Sequence, residues 1–346
     1  MRTGGSERFI SNIVTHIDTN YFDLTLILIK KEGDYLKVLP KSLKVVDLKC
    51  KRVRESMFKI MYYIYNYKPD VVFSTVSHLN IYLGIIRFFF DKKIKFIARE
   101  SNTISERIKN QKNPLIFRIL YHLFYNNYDI VIAQSISMKQ DLVDNFGLNR
   151  KKIKIIYNPV DIDYIQKKIS SENTNFNNNC LNLLAVGSLE YQKGFDLLIN
   201  AASLIKVNFQ LFILGSGSLF IELRKLRDEL GLSSKVTFFG NIENPFAFMK
   251  HADFLVLSSR FEGLPNVVLE ANACGTPVIA YNSPGGTAEI VKHGINGILI
   301  DKLDAITLAR GIDCSQNYDF SKKQIIDNAR NNHSIKKIIP QIISLF

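Results

Sequence analysis

Twelve short runs rich in Ile, Val, Leu and Phe recur along the 346 residues, each separated from the next by a longer stretch of helical periodicity. They fall at 23–29, 43–48, 71–74, 94–98, 130–133 and 153–157, and again at 181–187, 210–214, 235–239, 254–257, 278–280 and 297–300. Strand alternating with helix throughout implies parallel sheets covered on both faces by the intervening helices. A single core stops growing at roughly 250–300 residues, so two such arrays mean two domains. The expected class is therefore α/β with two doubly wound domains, divided as 1–160 and 161–319, followed by a helical segment over 320–346. The polar, Asn-rich run 170–179 cannot pack and reads as a loop.

Composition narrows the setting. Hydrophobic residues make up 47% and charged residues 22% of the chain, a globular rather than a disordered balance. Cys50, Cys180, Cys274 and Cys314 have no C-x-x-C spacing, which argues against a zinc site or a disulfide framework and for thiols in a reducing cytoplasm. The longest apolar stretches are too short to span a bilayer, Arg87 interrupts one of them, and no signal-peptide pattern opens the sequence.

The formal charge of +13 is one-sided: residues 1–160 hold 27 Lys and Arg against 14 Asp and Glu, whereas the remainder is balanced. No nucleic-acid motif accompanies this excess. Lys49, Lys51, Arg52 and Arg54 precede an aromatic-rich stretch at 57–67, and Lys92, Lys93 and Lys95 follow Phe88, Phe89 and Phe90. Basic residues beside exposed aromatics suit peripheral contact with the anionic inner face of the cytoplasmic membrane, and a plain surface of solvated lysines is the alternative.

One segment, Ser259-Arg260-Phe261-Glu262-Gly263-Leu264-Pro265-Asn266-Val267-Val268-Leu269-Glu270, carries the chemistry. Gly263 allows a tight turn and Pro265 suits the first helical position, so a helix is expected to begin there. The N–H groups of Asn266 and Val267, with the positive end of the helix dipole, make a site that favours an anion such as phosphate. Asn266 and Glu270 are four apart and share one face of an otherwise apolar helix. A carboxylate in that setting either has a partner or lines a cleft. A structural Glu at a helix start is the plainer reading of an isolated pair.

The context of that pair resembles a known family. Glu262 and Glu270 look like the E-x7-E motif of the retaining glycosyltransferase family 4, the group 1 glycosyltransferases with the GT-B fold. Gly187-Ser188-Leu189 with Gln192-Lys193-Gly194, Leu214-Gly215-Ser216-Gly217, Ala273-Cys274-Gly275-Thr276-Pro277-Val278 and Ser283-Pro284-Gly285-Gly286 fall in the family's order and spacing. Upstream, Asp129-Ile130-Val131-Ile132-Ala133-Gln134-Ser135 and Ile156-Tyr157-Asn158-Pro159-Val160-Asp161 resemble the segments leading into the interdomain linker.

The resemblance implies two Rossmann-like domains with a cleft between them, the 320–346 helices crossing back to the first. It also implies a nucleotide-sugar donor, UDP-linked, and transfer of a hexose or N-acetylhexosamine with retention to a lipid-linked or growing surface polysaccharide. By the same likeness Glu270 accepts hydrogen bonds from the ribose hydroxyls and Glu262 faces the donor sugar. Lys193 neutralises the leaving diphosphate, helped by N–H groups of Gly263, Leu264, Asn266 and Val267, with Gly187, Ser188 and Gly215 on the donor side. Gly4 and Gly5 match a loop that meets phosphate or acceptor, and His78, Glu100 and Asn102 stand where acceptor or donor contacts are found. No metal or other cofactor is implied, and the departing phosphate takes the acceptor proton in place of a protein base.

Two departures stand out. Ser188 occupies a position where many relatives carry Arg, with Arg260 as the substitute if it turns towards the donor. The chain also starts almost at the glycine loop, Met1-Arg2-Thr3-Gly4-Gly5-Ser6-Glu7-Arg8, so the first strand of the N-terminal domain is expected to be missing, from a start that lies upstream or a truncation, leaving its neighbours with unpaired backbone groups. A dehydrogenase fits poorly: Gly215-Ser216-Gly217 opens a dinucleotide fingerprint, but Phe220 replaces its third glycine and Lys235 stands near the expected acid. A nucleotide-sugar epimerase, a sugar phosphorylase, or an inactive subunit of a polysaccharide assembly complex remain as alternatives.

Overall fold

The computed structural model describes residues 5–109, 111–169, 176 and 179–346. The chain divides into two compact units, one running to Pro159 and including Ile335–Phe346, the other spanning Val160–Ser334. All twelve expected strands form, and every strand pair is parallel.

In the first unit the strands are β1 (Thr25–Leu28), β2 (Lys44–Asp47), β3 (Val71–Ser74), β4 (Lys95–Arg99), β5 (Ile130–Ala133) and β6 (Ile153–Ile155). Its helices are α1 (Gly5–His16), α2 (Met57–Tyr67), α3 (Ser77–Ile86), α4 (Ile104–Lys109), α5 (Pro114–Phe124) and α6 (Ile136–Phe146). Ile60, Ile64, Ile81, Tyr121 and Leu142 cover one sheet face from α2, α3, α5 and α6, joined by Tyr125 just after α5. On the other face Phe9 and Ile13 of α1 meet Ile338, Ile339 and Ile342 of the C-terminal helix, Ile335–Ile343. The preceding helix, Lys322–His333, groups with the second unit.

The sheet of this unit is interrupted. β3-β4-β5-β6 form one sheet and β1-β2 another, with no strand joining β1 to β3 among the described residues. β4 and β5 are almost wholly buried, whereas β1 and β3 are largely half-exposed. That is the signature expected of a doubly wound sheet without its central first strand, since each flanking strand is left with one edge unpaired.

The second unit holds one six-stranded sheet, β12-β11-β10-β7-β8-β9. Its strands are β7 (Leu181–Val186), β8 (Phe209–Leu214), β9 (Val236–Gly240), β10 (Phe254–Leu257), β11 (Val278–Tyr281) and β12 (Gly297–Ile300). Successive strands run outwards from β7 to one edge and from β10 to the other. β7 and β10 are neighbours, pairing Leu183 with Phe254 and Leu184 with Leu255. The order reverses between them, and the helices that follow, Phe195–Ala202 and Asn266–Cys274, pack with separate sets of helices, the switch point at which doubly wound sheets generally bind their ligands. The 170–179 run falls mainly outside the described residues; the helix before it, Ile162–Ile169, belongs to the second unit.

Candidate active site

The loops that leave β7 and β10 carry the residues singled out in the sequence. Gly187 follows β7, and its carbonyl lies so close to Gly215, at the end of β8, that a Cβ on Gly215 would come within 1.9 Å of it. Gly217 likewise gives its space to the Leu189 carbonyl, so these glycines serve the close passage of two loops and not a dinucleotide turn. Ser188 is exposed. The chain then turns through Tyr191–Lys193 into Gly194, whose φ is +61° and whose missing Cβ leaves room for the Ser258 carbonyl at 2.2 Å. This contact brings Lys193 against the loop after β10.

There Lys193 Nζ lies 2.6 Å from Glu262 Oε1, the Glu262 side chain being 7% and the Lys193 side chain 20% exposed. Ser259 Oγ donates to the same carboxylate oxygen at 2.7 Å, and Gln192 Nε2 donates to Oε2 at 3.4 Å. Ser258 Oγ donates to the Lys193 carbonyl at 2.9 Å. A buried ion pair holds its place only when further hydrogen bonds satisfy its remaining polar atoms; Ser259 and Gln192 supply them to the carboxylate, while Ser258 fixes the Lys193 backbone. No sequence spacing had marked Ser258 or Ser259 as partners of the pair.

A second brace comes from the loop after β11. Pro284 O accepts from Glu262 N at 2.9 Å and Gly263 O accepts from Gly286 N at 2.6 Å. Gly285, at φ +123°, passes so close that a Cβ would lie 2.1 Å from the Glu262 carbonyl. The Ser283-to-Gly286 motif thus clamps the backbone of Glu262 and Gly263.

The helix after Glu262 begins one residue later than expected: Pro265, with ψ at 108°, is its N-cap, and the helix runs Asn266–Cys274. Extended backbone at Pro265 suits a cap and not a first helical turn. The positive end of the dipole still falls four residues from Glu262, at Asn266 and Val267, with Leu264 and Gly263 buried beside it. Glu270 is 7% exposed and Asn266 half-buried on the same face. Burial, and next the charge of Glu270, push the Cys274 thiol well up, so it stays protonated.

Arg260 does not take the place of the Arg that Ser188 lacks. Its guanidinium forks onto Asp196, with Nη1 2.8 Å from Oδ1, donates to the Tyr191 carbonyl at 2.9 Å, and lies 4.2 Å from the Tyr191 ring centroid. Burial pushes the Asp196 carboxyl up, but the hydrogen bonds and charge of Arg260 outweigh it and hold the group below the ordinary value.

Within the first unit Gly5 opens α1 at the surface, and Gly4 lies outside the described residues. His78 sits in the first turn of α3, half-buried, its ring 5.6 Å from that of Phe117; burial and then Arg107 lower its pKa. Glu100 follows β4 and is fully buried, accepting from Ser77 Oγ at 2.7 Å, Asn80 Nδ2 at 2.8 Å and the Tyr125 hydroxyl. Burial raises its carboxyl above the ordinary range against the pull of those donors. Asn102 is half-buried, and its Oδ1 accepts from the Thr103 N–H at 3.0 Å. Glu100 is thus engaged inside the unit by side chains that the sequence reading had not singled out.

Two family profiles match in succession, Glycosyltransferase Family 4 over residues 3–164 and Glycosyl transferases group 1 over residues 166–332. A curated Campylobacter jejuni relative, an N-acetylgalactosaminyltransferase acting on N-acetylgalactosamine-N,N'-diacetylbacillosaminyl-diphospho-undecaprenol, is 28% identical over 340 residues, 95% of this chain and 91% of its own. The lipopolysaccharide 1,6-galactosyltransferase of Escherichia coli K12 is 23% identical over 86% of this chain and 81% of its own. Among solved structures, HepE of Anabaena in complex with UDP-glucose matches with a TM-score of 0.82 and 22% identity over 99% of this chain and 96% of its own. With the paired glutamates, the glycine-braced loops and the doubly wound sheets in place, the chain belongs to glycosyltransferase family 4, the group 1 enzymes of the GT-B fold.

Proposed function

We propose that this glycosyltransferase moves a hexose or N-acetylhexosamine from a UDP-linked donor, with retention, to a lipid-linked or growing surface polysaccharide at the inner face of the cytoplasmic membrane. The observation that carries the reading is the Lys193–Glu262 pair, anchored by Ser259 and Gln192 beside the start of the Asn266–Cys274 helix. The helix start and Lys193 offer positive charge to a diphosphate. Glu270, on the first turns of that helix, is the acceptor for the ribose hydroxyls. Glu262 orients the hydroxyls of the donor sugar and steadies the positive charge that grows at its anomeric carbon.

In the transfer, the bond from the anomeric carbon to the diphosphate oxygen breaks and the acceptor hydroxyl forms the new bond on the same face. The departing phosphate takes the hydroxyl proton, so no side chain serves as base. Lys193 and the first-turn N–H groups stand in the role a metal plays elsewhere, and the reaction proceeds without one. The C. jejuni relative's diphospho-undecaprenol acceptor and the UDP-glucose bound by HepE support the acceptor and donor classes.

The test is a transfer assay with UDP-hexoses and UDP-N-acetylhexosamines against polyprenyl-diphosphate glycans, in the presence of EDTA, with the product's anomeric configuration read by NMR. Transfer with the donor's configuration is expected. An inverted product, loss of activity in EDTA, or consumption of donor without an acceptor would contradict the corresponding part.

A further inference from the structure

We propose that the outer face of α5 docks the first unit onto an anionic bilayer. Helix α5 is apolar on two opposite sides. Phe117, Leu120 and Tyr121 turn inwards to the core of the unit. Leu115, Ile116, Ile119 and Leu123 turn outwards and are 68%, 55%, 49% and 56% exposed. Residues 115, 119 and 123 are spaced four apart, so they stack along one stripe with Ile116 at its edge. A surface helix normally presents polar side chains there, and a contiguous stripe of large aliphatics marks a contact surface.

Charge selects the occupant. From residue 107 to residue 128 the chain contains no Asp or Glu, while Lys112 and Arg118 are exposed on and just before the helix. Two copies meeting through this face would bring these cations together with no carboxylate from the segment to pair them. An anionic bilayer complements both features: aliphatic side chains enter the headgroup boundary by roughly 5–10 Å, and long basic side chains reach its phosphates. The surface continues beyond α5. His78 and Phe117 are in contact at one end of α3 and α5, and Gly84 abuts the Phe124 backbone at the other, so the two helices run side by side. α2 packs on the far side of α3, and its Phe58 and Tyr62 are 75% and 65% exposed.

The inference rests on the reading above that the acceptor is lipid-linked, because α5 starts beside His78, at the edge of the unit where Glu100 and Asn102 leave β4. A bilayer held there brings a membrane-anchored acceptor to that edge.

The experiment is co-sedimentation of the full chain with phosphatidylglycerol-rich vesicles and with pure phosphatidylcholine vesicles. It compares the wild type with a Leu115→Gln/Ile119→Gln variant and a Lys112→Glu/Arg118→Glu variant. The wild type is expected to bind the anionic vesicles and to release them near 1 M salt, where the screening length is about 3 Å. Each variant is expected to bind about tenfold less or weaker still, with an unchanged unfolding midpoint, since the replaced side chains are exposed. The proposal is overturned if the wild type ignores anionic vesicles or does not distinguish the two lipids. It is equally overturned if the variants bind as the wild type does, or if the wild type is a dimer that the Gln variant dissolves. Nucleotide-sugar binding, measured without vesicles, separates the two readings: its absence in a chain that still binds vesicles defeats the proposed function and leaves the docking face standing.

Discussion

Ser258 and Ser259 brace one ion pair at different points: Ser258 Oγ donates to the Lys193 backbone carbonyl at 2.9 Å, and Ser259 Oγ donates at 2.7 Å to Glu262 Oε1, which lies 2.6 Å from Lys193 Nζ. Both serines leave the end of β10 in succession, so the strand's alternation turns one towards each partner. The Glu262 carboxylate, which we propose faces the donor sugar, is therefore held in one orientation by Ser259 and Lys193.

This arrangement separates three variants by kinetics and stability. Glu262→Gln is expected to lower kcat about 10²-fold, the scale of losing one electrostatic contact to the transition state, with little change in KM. Ser259→Ala removes one hydrogen bond to a charged group, about 1.5 kcal/mol, and is expected to lower kcat about tenfold. Lys193→Ala leaves Glu262 largely buried without its cation, so its unfolding midpoint should fall as well as its activity. Steady-state kinetics and thermal unfolding of the same preparations check this; equal, small effects from all three would remove the roles assigned to the pair.

Gly285 offers a geometric test of the clamp. A Cβ there would lie 2.1 Å from the Glu262 carbonyl and would sit at φ +123°, so Gly285→Ala is expected to cost about 2 kcal/mol or more and to displace Glu262. Gly294 is the control: its φ is +74°, but nothing lies within 4 Å of a Cβ placed on it. Gly294→Ala should cost only about 1 kcal/mol and leave kcat unchanged. Urea unfolding with activity measurements distinguishes them, and indistinguishable variants would count against the clamp.

Glu100 makes stability depend on pH in a defined direction. Burial raises its carboxyl in the folded chain, so between the ordinary carboxyl value of about 4.3 and the raised value the folded state binds more protons than the unfolded state. Its contribution is fully present below that window and is lost as pH rises through it. Glu100→Gln does not titrate. The unfolding free energy of wild type minus that of Glu100→Gln is therefore expected to fall as pH rises through the window and to level off above it. A difference that grows with pH in urea titrations contradicts the assignment.

The strands were legible because continuous Ile, Val and Phe runs bounded by turns leave few alternatives in a parallel sheet. Glu262 and Glu270 were legible through their resemblance to the E-x7-E motif, and the shared face of Asn266 and Glu270 because helical spacing relates residues four apart. What holds Glu262 was not: Lys193 and Gln192 are about 70 positions away in sequence, and no periodicity links them. Whether Arg260 turns towards the donor was open for the same reason, and Asp196, 64 positions earlier, claims it. Glu100 was found as a residue but not as a buried one, because Ser77, Asn80 and Tyr125 reach it from two other helical segments. Pro265 missed by one position, from the first helical residue to the cap, because proline's fixed φ suits both and only ψ decides.

We propose that Glu262 and Glu270, on either side of the start of the Asn266–Cys274 helix, grip a sugar nucleotide. Calorimetric titration of UDP-glucose, UDP-N-acetylglucosamine and UDP-N-acetylgalactosamine into wild type and Glu270→Ala measures it directly. At least one donor is expected to bind the wild type and to bind Glu270→Ala about tenfold or more weakly, the loss of hydrogen bonds to a charged acceptor at about 1.5–3 kcal/mol. Binding of equal strength in the two proteins, or no binding of any of the three to the wild type, would contradict it.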